Sequence, residues 1–226
     1  MLNKELISGT ISPLLKTDTA MQALSLMEEF KVTHLPVLSS LDYANSELLG
    51  VISEDDILNL IDPEVEIGEI INVLKSYFVV ENQHVYVAMF IMGRRNLSIL
   101  PVIDSKNKYV GVISSANIIN YLSRFSAMSQ AGGVIVLEMP QFDYSLAQIS
   151  QIVESNDAKI LSAYVFSNSS TKLLELTLKL NTINVDNIIH AFQRYDYNIK
   201  YTLSDQSDIV SKVEDNYNSL MKYLDI

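Results

Sequence analysis

The heptapeptide GVISEDD, residues 50–56, places a serine and an aspartate three positions apart, where a strand is predicted to pass into a helix. Ser53 and Asp56 can close a capping box, in which the two side chains satisfy free backbone N–H groups of the first helical turn. The same side chains can instead bind a ligand, because a helix start favours anions and a carboxylate accepts hydrogen bonds from ribose hydroxyls. The residues alone leave both interpretations open.

The junction recurs as GVISSAN, residues 111–117, with Asn117 in the place of Asp56. Each copy follows a proline-containing apolar segment, THLPVL at residues 33–38 and SILPVI at residues 98–103. Upstream of each segment, apolar residues recur at the spacing of an amphipathic helix. The chain therefore contains an internal repeat, whose units are predicted as helix, strand, loop, strand and helix, each with a short extended lead-in.

After Gly132 and Gly133 the pattern changes to strand, helix, two strands, helix and strand. In KLLELTLKL, residues 172–180, leucines alternate with polar residues, which is typical of a sheet with one covered and one solvent-exposed face. The order β-α-β-β-α-β is the ferredoxin-like split arrangement. The last residues, 206–226, carry apolar side chains at helical intervals, which predicts a C-terminal amphipathic helix.

The two LPV segments and the two GVIS junctions, in this order and spacing, resemble a tandem CBS domain pair, also called a Bateman module. The resemblance covers residues 1–126, with repeat one at about residues 1–65 and repeat two at about residues 66–126. It implies an α+β fold in which the two repeats pack about a pseudo-twofold axis. It also implies clefts between the repeats in which adenine nucleotides often bind.

Residues 131–205 resemble an ACT domain in their order of elements, although the turn after the first strand, MPQFDYS, lacks the glycine that amino-acid-binding ACT domains usually have there. The whole arrangement is similar to acetoin-utilisation-type CBS–ACT regulatory proteins. The predicted fold class is therefore α+β: tandem CBS repeats, then a ferredoxin-like βαββαβ (ACT-like) domain and a C-terminal helix.

The resemblance to CBS pairs implies roles for single residues. The junction serines, with Asp56 and Asn117, would hold the ribose, and the basic residues Lys31 and Arg95, a few positions before each proline, would hold phosphates. The LPV segments would lie against the purine, and two threonines of the first lead-in would contact the ligand. The predicted nucleotide-binding residues are Thr17, Thr19, Lys31, His34, Leu35, Pro36, Ser53, Asp56, Arg95, Leu100, Pro101, Ser114 and Asn117.

Composition argues against several other classes of protein. The 226 residues carry a net charge of -11, which opposes general nucleic-acid binding, and no apolar run is long enough to span a membrane. There is no cysteine, the three histidines are far apart, and no catalytic or metal-binding motif occurs. The N-terminus, MLNKELISGT, lacks the pattern of a signal peptide, so a cytoplasmic location is expected.

The sequence predicts a non-catalytic regulatory protein that senses AMP, ADP, ATP or an adenosyl ligand in the CBS cleft and requires no cofactor. The alternative is a ligand-free CBS–ACT interaction scaffold, or a subunit that regulates a partner protein. The predicted partners are a second copy in a homodimer and an unknown regulated protein, with neither nucleic acid nor membrane. Apolar helix faces such as Val85, Met89 and Met92 are expected to supply the dimer surface.

Overall fold

The structure is a computed structural model, and it describes residues 1–40, 42, 46–124, 127, 130–168 and 172–203. The chain divides into two compact units, Met1–Ser123 and Arg124–Ile226. The predicted C-terminal helix at residues 206–226 lies outside the described residues.

The first unit contains the predicted repeat, element for element. Repeat one consists of β1 (Leu14–Leu15), α1 (Ala20–Phe30), β2 (His34–Leu38), β3 (Leu48–Ser53) and α2 (Glu54–Leu58). Repeat two consists of β4 (Val79–Val80), α3 (Val85–Arg95), β5 (Ile99–Ile103), β6 (Tyr109–Ser114) and α4 (Ser115–Ser123). In each sheet the short lead-in strand pairs in parallel with the middle strand, which pairs antiparallel with the third strand. Two short 3₁₀ helices, Asn3–Glu5 and Ile67–Val73, precede the two repeats.

The amphipathic helices cover the sheet of their own repeat. On α3, Val85, Ala88 and Met92 share one face and are buried in the core of repeat two. The prediction that Val85 and Met92 form a dimer surface is therefore wrong, because the face with helical apolar spacing is the one that packs on the sheet. The large exposed side chains of this helix include Tyr86 and Phe90 instead.

The segment that leads into each repeat crosses the sheet of the other repeat. Lys75, upstream of β4, exchanges two backbone hydrogen bonds of 2.9 Å with Val51 on β3. Ser8, upstream of β1, donates its backbone N–H to the carbonyl of Val112 on β6 at 2.8 Å. The two repeats are thus joined by a reciprocal exchange of extended chain, which brings residues of each lead-in next to the junction of the other repeat.

The junction glycines lie beneath these crossing segments. Gly50 and Gly111 have φ angles of 157° and 156°, a backbone conformation that residues with a Cβ rarely adopt. A Cβ on Gly50 would lie 2.9 Å from Cβ of Leu74, and a Cβ on Gly111 would lie 2.4 Å from Cγ2 of Ile7. The glycine of each GVIS junction is therefore required by the backbone angle and by the close approach of the crossing segment.

The second unit has the predicted βαββαβ order. It consists of β7 (Val134–Pro140), α5 (Leu146–Glu154), β8 (Ile160–Asn168), β9 (Leu173–Leu180), α6 (Asp186–Arg194) and β10 (Asn198–Leu203). The four strands form an antiparallel sheet in the order β10-β7-β9-β8. The even-numbered leucines of β9 are buried against α5 and α6, while Glu175 and Thr177 alternate with them. This agrees with the predicted sheet that has one covered face.

Candidate ligand-binding clefts of the repeat pair

Cleft A combines the junction of repeat one with the helix end of repeat two. Its volume is about 390 Å³, and its lining includes Ser53 and Asp56 from the first junction and Arg95 from the last residue of α3. Lys75 and Tyr77, from the segment that crosses β3, complete its polar wall. The cleft therefore brings the carboxylates of Asp55 and Asp56, two cations and an aromatic ring together from parts of the chain that are distant in sequence.

Cleft B is its counterpart, formed by the junction of repeat two and the helix end of repeat one. Its volume is about 350 Å³. Ser114 and Asn117 line it from the second junction, and Lys31 lines it from the C-cap of α1. Ser8 and Thr10, from the segment that crosses β6, occupy the place that the other crossing segment has in cleft A.

Seven predicted site residues thus fall into two groups, with Ser53, Asp56, His34 and Arg95 in cleft A and Lys31, Ser114 and Asn117 in cleft B. The LPV residues do not line either cleft: they are buried in the middle strands of the two sheets, and they are Leu35, Pro36, Leu100 and Pro101. The apolar contact that they were expected to offer a purine is instead available from Val51 and Tyr77 in cleft A.

The two threonines predicted from the first lead-in also lie outside the lining of both clefts. Thr19 is the N-cap of α1, where its Oγ1 accepts a hydrogen bond from the backbone N–H of Gln22 at 3.2 Å. Thr17 is exposed beside it. The lead-in contribution to the clefts comes from the segments that precede β1 and β4, which the sequence interpretation missed. These residues are Ser8 and Thr10 before β1, and Lys75 and Tyr77 before β4.

Each junction closes a complete capping box. The backbone N–H of Asp56 donates to Oγ of Ser53 at 3.1 Å, and the Ser53 N–H and O–H donate to Oδ2 of Asp56 at 3.2 and 2.7 Å. Ser114 and Asn117 repeat this arrangement with distances of 3.1, 3.0 and 2.6 Å. Of the two interpretations that the sequence left open, the cap is therefore present in both copies.

The capping boxes leave different hydrogen-bonding groups of Asp56 and Asn117 available to a ligand. Asp56 accepts both bonds on Oδ2, and within the part of the chain that the structure describes its Oδ1 accepts no hydrogen bond. Asn117 has a single side-chain oxygen, and that oxygen accepts both cap bonds. A carbonyl oxygen has two lone pairs, so Asn117 offers a ligand only the two hydrogens of its NH₂ group, whereas Asp56 still offers an acceptor.

His34 lies between the two clefts. Its Nδ1 is 3.2 Å from Oγ of Ser98, which lines cleft B, and accepts a long hydrogen bond of 3.4 Å from the Ser98 backbone N–H. Because Nδ1 is an acceptor, the neutral ring carries its proton on Nε2. Burial lowers the pKa of His34 below its usual value, and the nearby carboxylates of Asp56 and Asp55 oppose that shift.

The guanidinium of Arg95 is held over an aromatic ring. Its Cζ lies 5.6 Å from the ring centroid of Tyr77, within the range of a cation–π interaction. This contact joins the end of α3 to the segment that crosses β3, and it orients the cation at the wall of cleft A. Arg94, the preceding residue, makes a similar contact with Phe90 at 5.5 Å, but neither residue lines the cleft.

Among the described residues, no three His, Cys, Asp or Glu side chains are grouped so that they could hold a metal ion. No helix in the described part of the chain combines the length and the hydropathy that crossing a membrane requires.

The model of the CBS domain family matches this chain twice, at residues 10–63 and 67–124. The two matches fall on the two repeats whose clefts are described above. The chain therefore contains a tandem CBS domain pair, as its sequence predicts. Such a pair is a regulatory module and is usually non-catalytic.

Two of the curated proteins that share part of this sequence are homoserine O-acetyltransferases. The protein of Methanococcus vannielii is 27% identical over 127 residues, which are 53% of this chain and 24% of that enzyme. The protein of Methanosarcina acetivorans is 32% identical over 104 residues, which are 46% of this chain and 18% of that enzyme. The chain thus spans a quarter or less of the length of these relatives.

Several solved structures are similar to the chain over about half of its length. A CBS domain pair/ACT domain protein from Thermotoga maritima is 19% identical, with a TM-score of 0.46, and the match covers 54% of this chain and 96% of that one. CBSX2 in complex with AMP is 20% identical, with a TM-score of 0.44, covering 54% and 95%. The CBS domain of a bacterial CNNM/CorC family Mg²⁺ transporter in complex with ATP is 17% identical, with a TM-score of 0.42, covering 53% and 85%.

Proposed function

We propose that the protein is a regulatory sensor that binds an adenine nucleotide, AMP, ADP or ATP, or a related adenosyl ligand, in cleft A. The observation that supports this is the convergence of the spare Asp56 oxygen with Lys75, Arg95 and Tyr77 in one cleft of about 390 Å³. A ribose needs a hydrogen-bond acceptor, phosphates need cations, and a purine needs an aromatic or apolar surface. Cleft A meets these three requirements together.

The regulatory role follows from where the ligand contacts originate. Asp56 belongs to repeat one and Arg95 to repeat two, so a nucleotide held by both connects the two repeats. A ligand shifts an equilibrium between two arrangements only by its difference in affinity for them. We propose that nucleotide occupancy favours one arrangement of the repeats, and that the ACT-like second unit or a partner protein responds to it.

The proposal includes a homodimer. Each helix of the repeats leaves at least one large apolar side chain exposed, namely Met21 on α1, Leu58 on α2, Phe90 on α3 and Ile119 on α4. A contiguous exposed apolar patch is typical of protein–protein contacts, and we propose that these side chains contribute to one. Light scattering at micromolar concentration is expected to give twice the chain mass of 25.4 kDa. A monomeric mass under these conditions would contradict this part of the proposal.

The decisive experiment is calorimetry and thermal unfolding of the full chain with AMP, ADP and ATP, comparing wild type with Asp56→Ala and Asn117→Ala. Saturation at one hundred times the dissociation constant stabilises a protein by about 2.7 kcal/mol. For a chain of this size that corresponds to a melting shift of roughly 5–10 °C. We expect Asp56→Ala to remove most of the shift and Asn117→Ala to leave it nearly intact.

The two variants are matched controls for each other. Both remove the same capping box at the same position of a repeat, which is worth about 1 kcal/mol of stability. A difference in their response to nucleotide therefore reports ligand contacts rather than the cap. If the shift survives Asp56→Ala and disappears in Asn117→Ala, the nucleotide binds in cleft B and the assignment is wrong.

A second candidate function is a ligand-free interaction scaffold. The observation in its favour is that the side chains of both junctions are engaged in capping boxes formed by the chain's own groups. A scaffold predicts that no adenine nucleotide shifts the melting temperature of wild type. A saturable shift with any of the three nucleotides would reject it in favour of the sensor.

A further inference from the structure

We infer that cleft B binds an inorganic oxyanion of the phosphate class, phosphate or pyrophosphate, and is not a second nucleoside site. The inference rests on the proposed function in one respect, that the clefts of the repeat pair are ligand sites. It departs from that function in assigning the two clefts ligands of different chemistry. The argument depends on which hydrogen-bonding groups remain available once the fold has satisfied its own needs.

The first step is the lack of a carboxylate that could accept hydrogen bonds from ribose. The ribose hydroxyls of a nucleotide are donors, and in cleft A the free Oδ1 of Asp56 can receive them. In cleft B the equivalent oxygen, Oδ1 of Asn117, already accepts from the N–H and the O–H of Ser114. Both lone pairs of this oxygen are therefore occupied. The only groups that the Asn117 side chain can still offer a ligand are the two hydrogens of its NH₂ group.

The second step is the sign of the charge. Cleft A contains the carboxylates of Asp55 and Asp56 beside its cations. The described lining of cleft B contains Lys31 and no carboxylate, although the chain as a whole has a net charge of -11. Within the described residues Lys31 forms no ion pair, so its ammonium group is available to an anion.

The third step is the placement of that cation. Lys31 is the C-cap of α1 in the left-handed conformation, with φ 55° and ψ 44°. Asn96 has the equivalent position at the end of α3, with nearly the same angles. Glycine and asparagine adopt this conformation readily, whereas a lysine does so at some cost. At the C-cap position, repeat one therefore has a cation where repeat two has the residue type that the backbone prefers.

The remaining polar groups of cleft B are hydroxyls. Ser8 and Thr10 lie on the crossing segment with their hydroxyl oxygens 2.7 Å apart, and Ser115 is the first residue of α4. One of the Ser8 and Thr10 hydroxyls donates to the other, so the pair has one hydrogen left for an oxyanion. This hydrogen and the Ser115 O–H join Nζ of Lys31 and Nδ2 of Asn117 as donors. A phosphate group accepts hydrogen bonds from all of these groups, and any O–H that it retains can donate to a serine or threonine oxygen of the lining. Phe30 adds apolar surface, so the missing carboxylate, which is the stronger acceptor for a ribose, is what separates this cleft from cleft A.

The test is calorimetry of the full chain at low ionic strength. The binding of pyrophosphate and of AMP is measured for two variants, Lys31→Gln and Arg95→Gln, and for wild type. We expect Lys31→Gln to weaken pyrophosphate binding by about tenfold or more and to leave AMP binding unchanged. We expect Arg95→Gln to weaken AMP and to leave pyrophosphate unchanged. Each variant removes one cation from one cleft, so each is the control for the other.

A gain-of-function variant completes the test. Asn117→Asp gives cleft B the spare carboxylate oxygen of cleft A, so it is expected to bind a second equivalent of AMP and to lose pyrophosphate by repulsion. The inference would be overturned if wild type bound neither pyrophosphate nor phosphate at millimolar concentration. Loss of pyrophosphate binding in Arg95→Gln but not in Lys31→Gln would do the same, because the anion would then lie in cleft A. If wild type binds pyrophosphate through Lys31 but does not bind AMP, the sensor proposal fails and the inference about cleft B stands.

Discussion

Clefts A and B have the same backbone arrangement, and they differ in side chains that this arrangement does not require. Both have a glycine beneath a crossing segment and a capping box that opens the following helix. At the helix end that faces each cleft, cleft A has Arg95 followed by Asn96, whereas cleft B has Phe30 followed by Lys31. The glycine and the capping box that folding requires thus give both repeats a cleft of similar shape. The choice of ligand depends on a few other side chains, which the fold does not require.

The largest effect that tests this comparison should come from the junction glycines. Gly50→Ala and Gly111→Ala each force a Cβ into a disfavoured φ and against a crossing segment. We expect each to cost about 2–4 kcal/mol of unfolding free energy, measured by urea denaturation. Gly93→Ala is the control, because nothing lies within 4 Å of its Cβ position and alanine is the better helix former.

The same variants can show whether each crossing segment serves one cleft. Gly50→Ala displaces the segment that carries Lys75 and Tyr77, so it should weaken AMP in cleft A more than pyrophosphate. Gly111→Ala displaces the segment that carries Ser8, so it should have the opposite selectivity. Equal losses of both ligands in both variants would mean that the segments stabilise the pair as a whole and do not shape the clefts separately.

A smaller effect is expected from the aromatic ring beneath the cation of cleft A. Tyr77→Leu removes the cation–π contact with Arg95, and we expect the affinity for AMP to fall by about two- to fivefold. Phe90→Leu removes the similar contact with Arg94 outside the cleft and should leave the affinity unchanged. Calorimetry with AMP distinguishes the two variants, and equal effects would show that Tyr77 acts through general packing.

The repeat was predictable because its signals are local. The GVIS junctions require glycine and a capping serine, and the helices α1 and α3 show their apolar face within eleven residues each. In the second unit, the alternating leucines of β9 indicated both the strand and its covered face. These features depend on backbone angles and on the burial of neighbouring side chains, which sequence periodicity expresses directly.

Which residues line each cleft was only partly predictable, because the lining depends on backbone hydrogen bonds between residues that are far apart in the chain. Lys75 and Ser8 line clefts because they pair with Val51 and Val112 of the opposite repeat. The sequence interpretation placed the lead-in contacts at threonines that belong to the same repeat as the first junction. An alignment of the two repeats gives the order of elements, but it does not show that the lead-in segments are exchanged.

The use of the capping oxygens was also beyond the sequence. Ser53 and Asp56 were expected either to cap the helix or to bind a ligand, and the structure shows that a carboxylate can cap with one oxygen and keep the other free. Asn117 cannot do both, because it has one oxygen. To choose between the two interpretations, one must know which oxygen atom accepts each cap bond, and the residue types alone do not show this.

The smallest effect concerns His34, whose equivalent in repeat two is Ile99, so that only one repeat carries a titratable group at this position. Because burial lowers the pKa of His34, the unfolded chain takes up the proton before the folded chain does as the pH falls. Its contribution to stability is therefore fully present above about pH 6.5 and is lost as the pH falls through the lowered folded value.

We expect wild type to lose stability relative to His34→Asn between about pH 7 and 5, measured by urea denaturation at each pH. The asparagine keeps an acceptor near Nδ1 for Ser98 but does not titrate, so the difference isolates the proton. One proton can give at most about 1.4 kcal/mol per pH unit, and solvent around this half-buried ring reduces that slope. Asp56→Asn should enlarge the loss, because the Asp56 carboxylate favours the charged ring. A wild type that gains stability over His34→Asn on acidification would show that the charged histidine is favoured, and that cleft A is more acidic than its lining indicates.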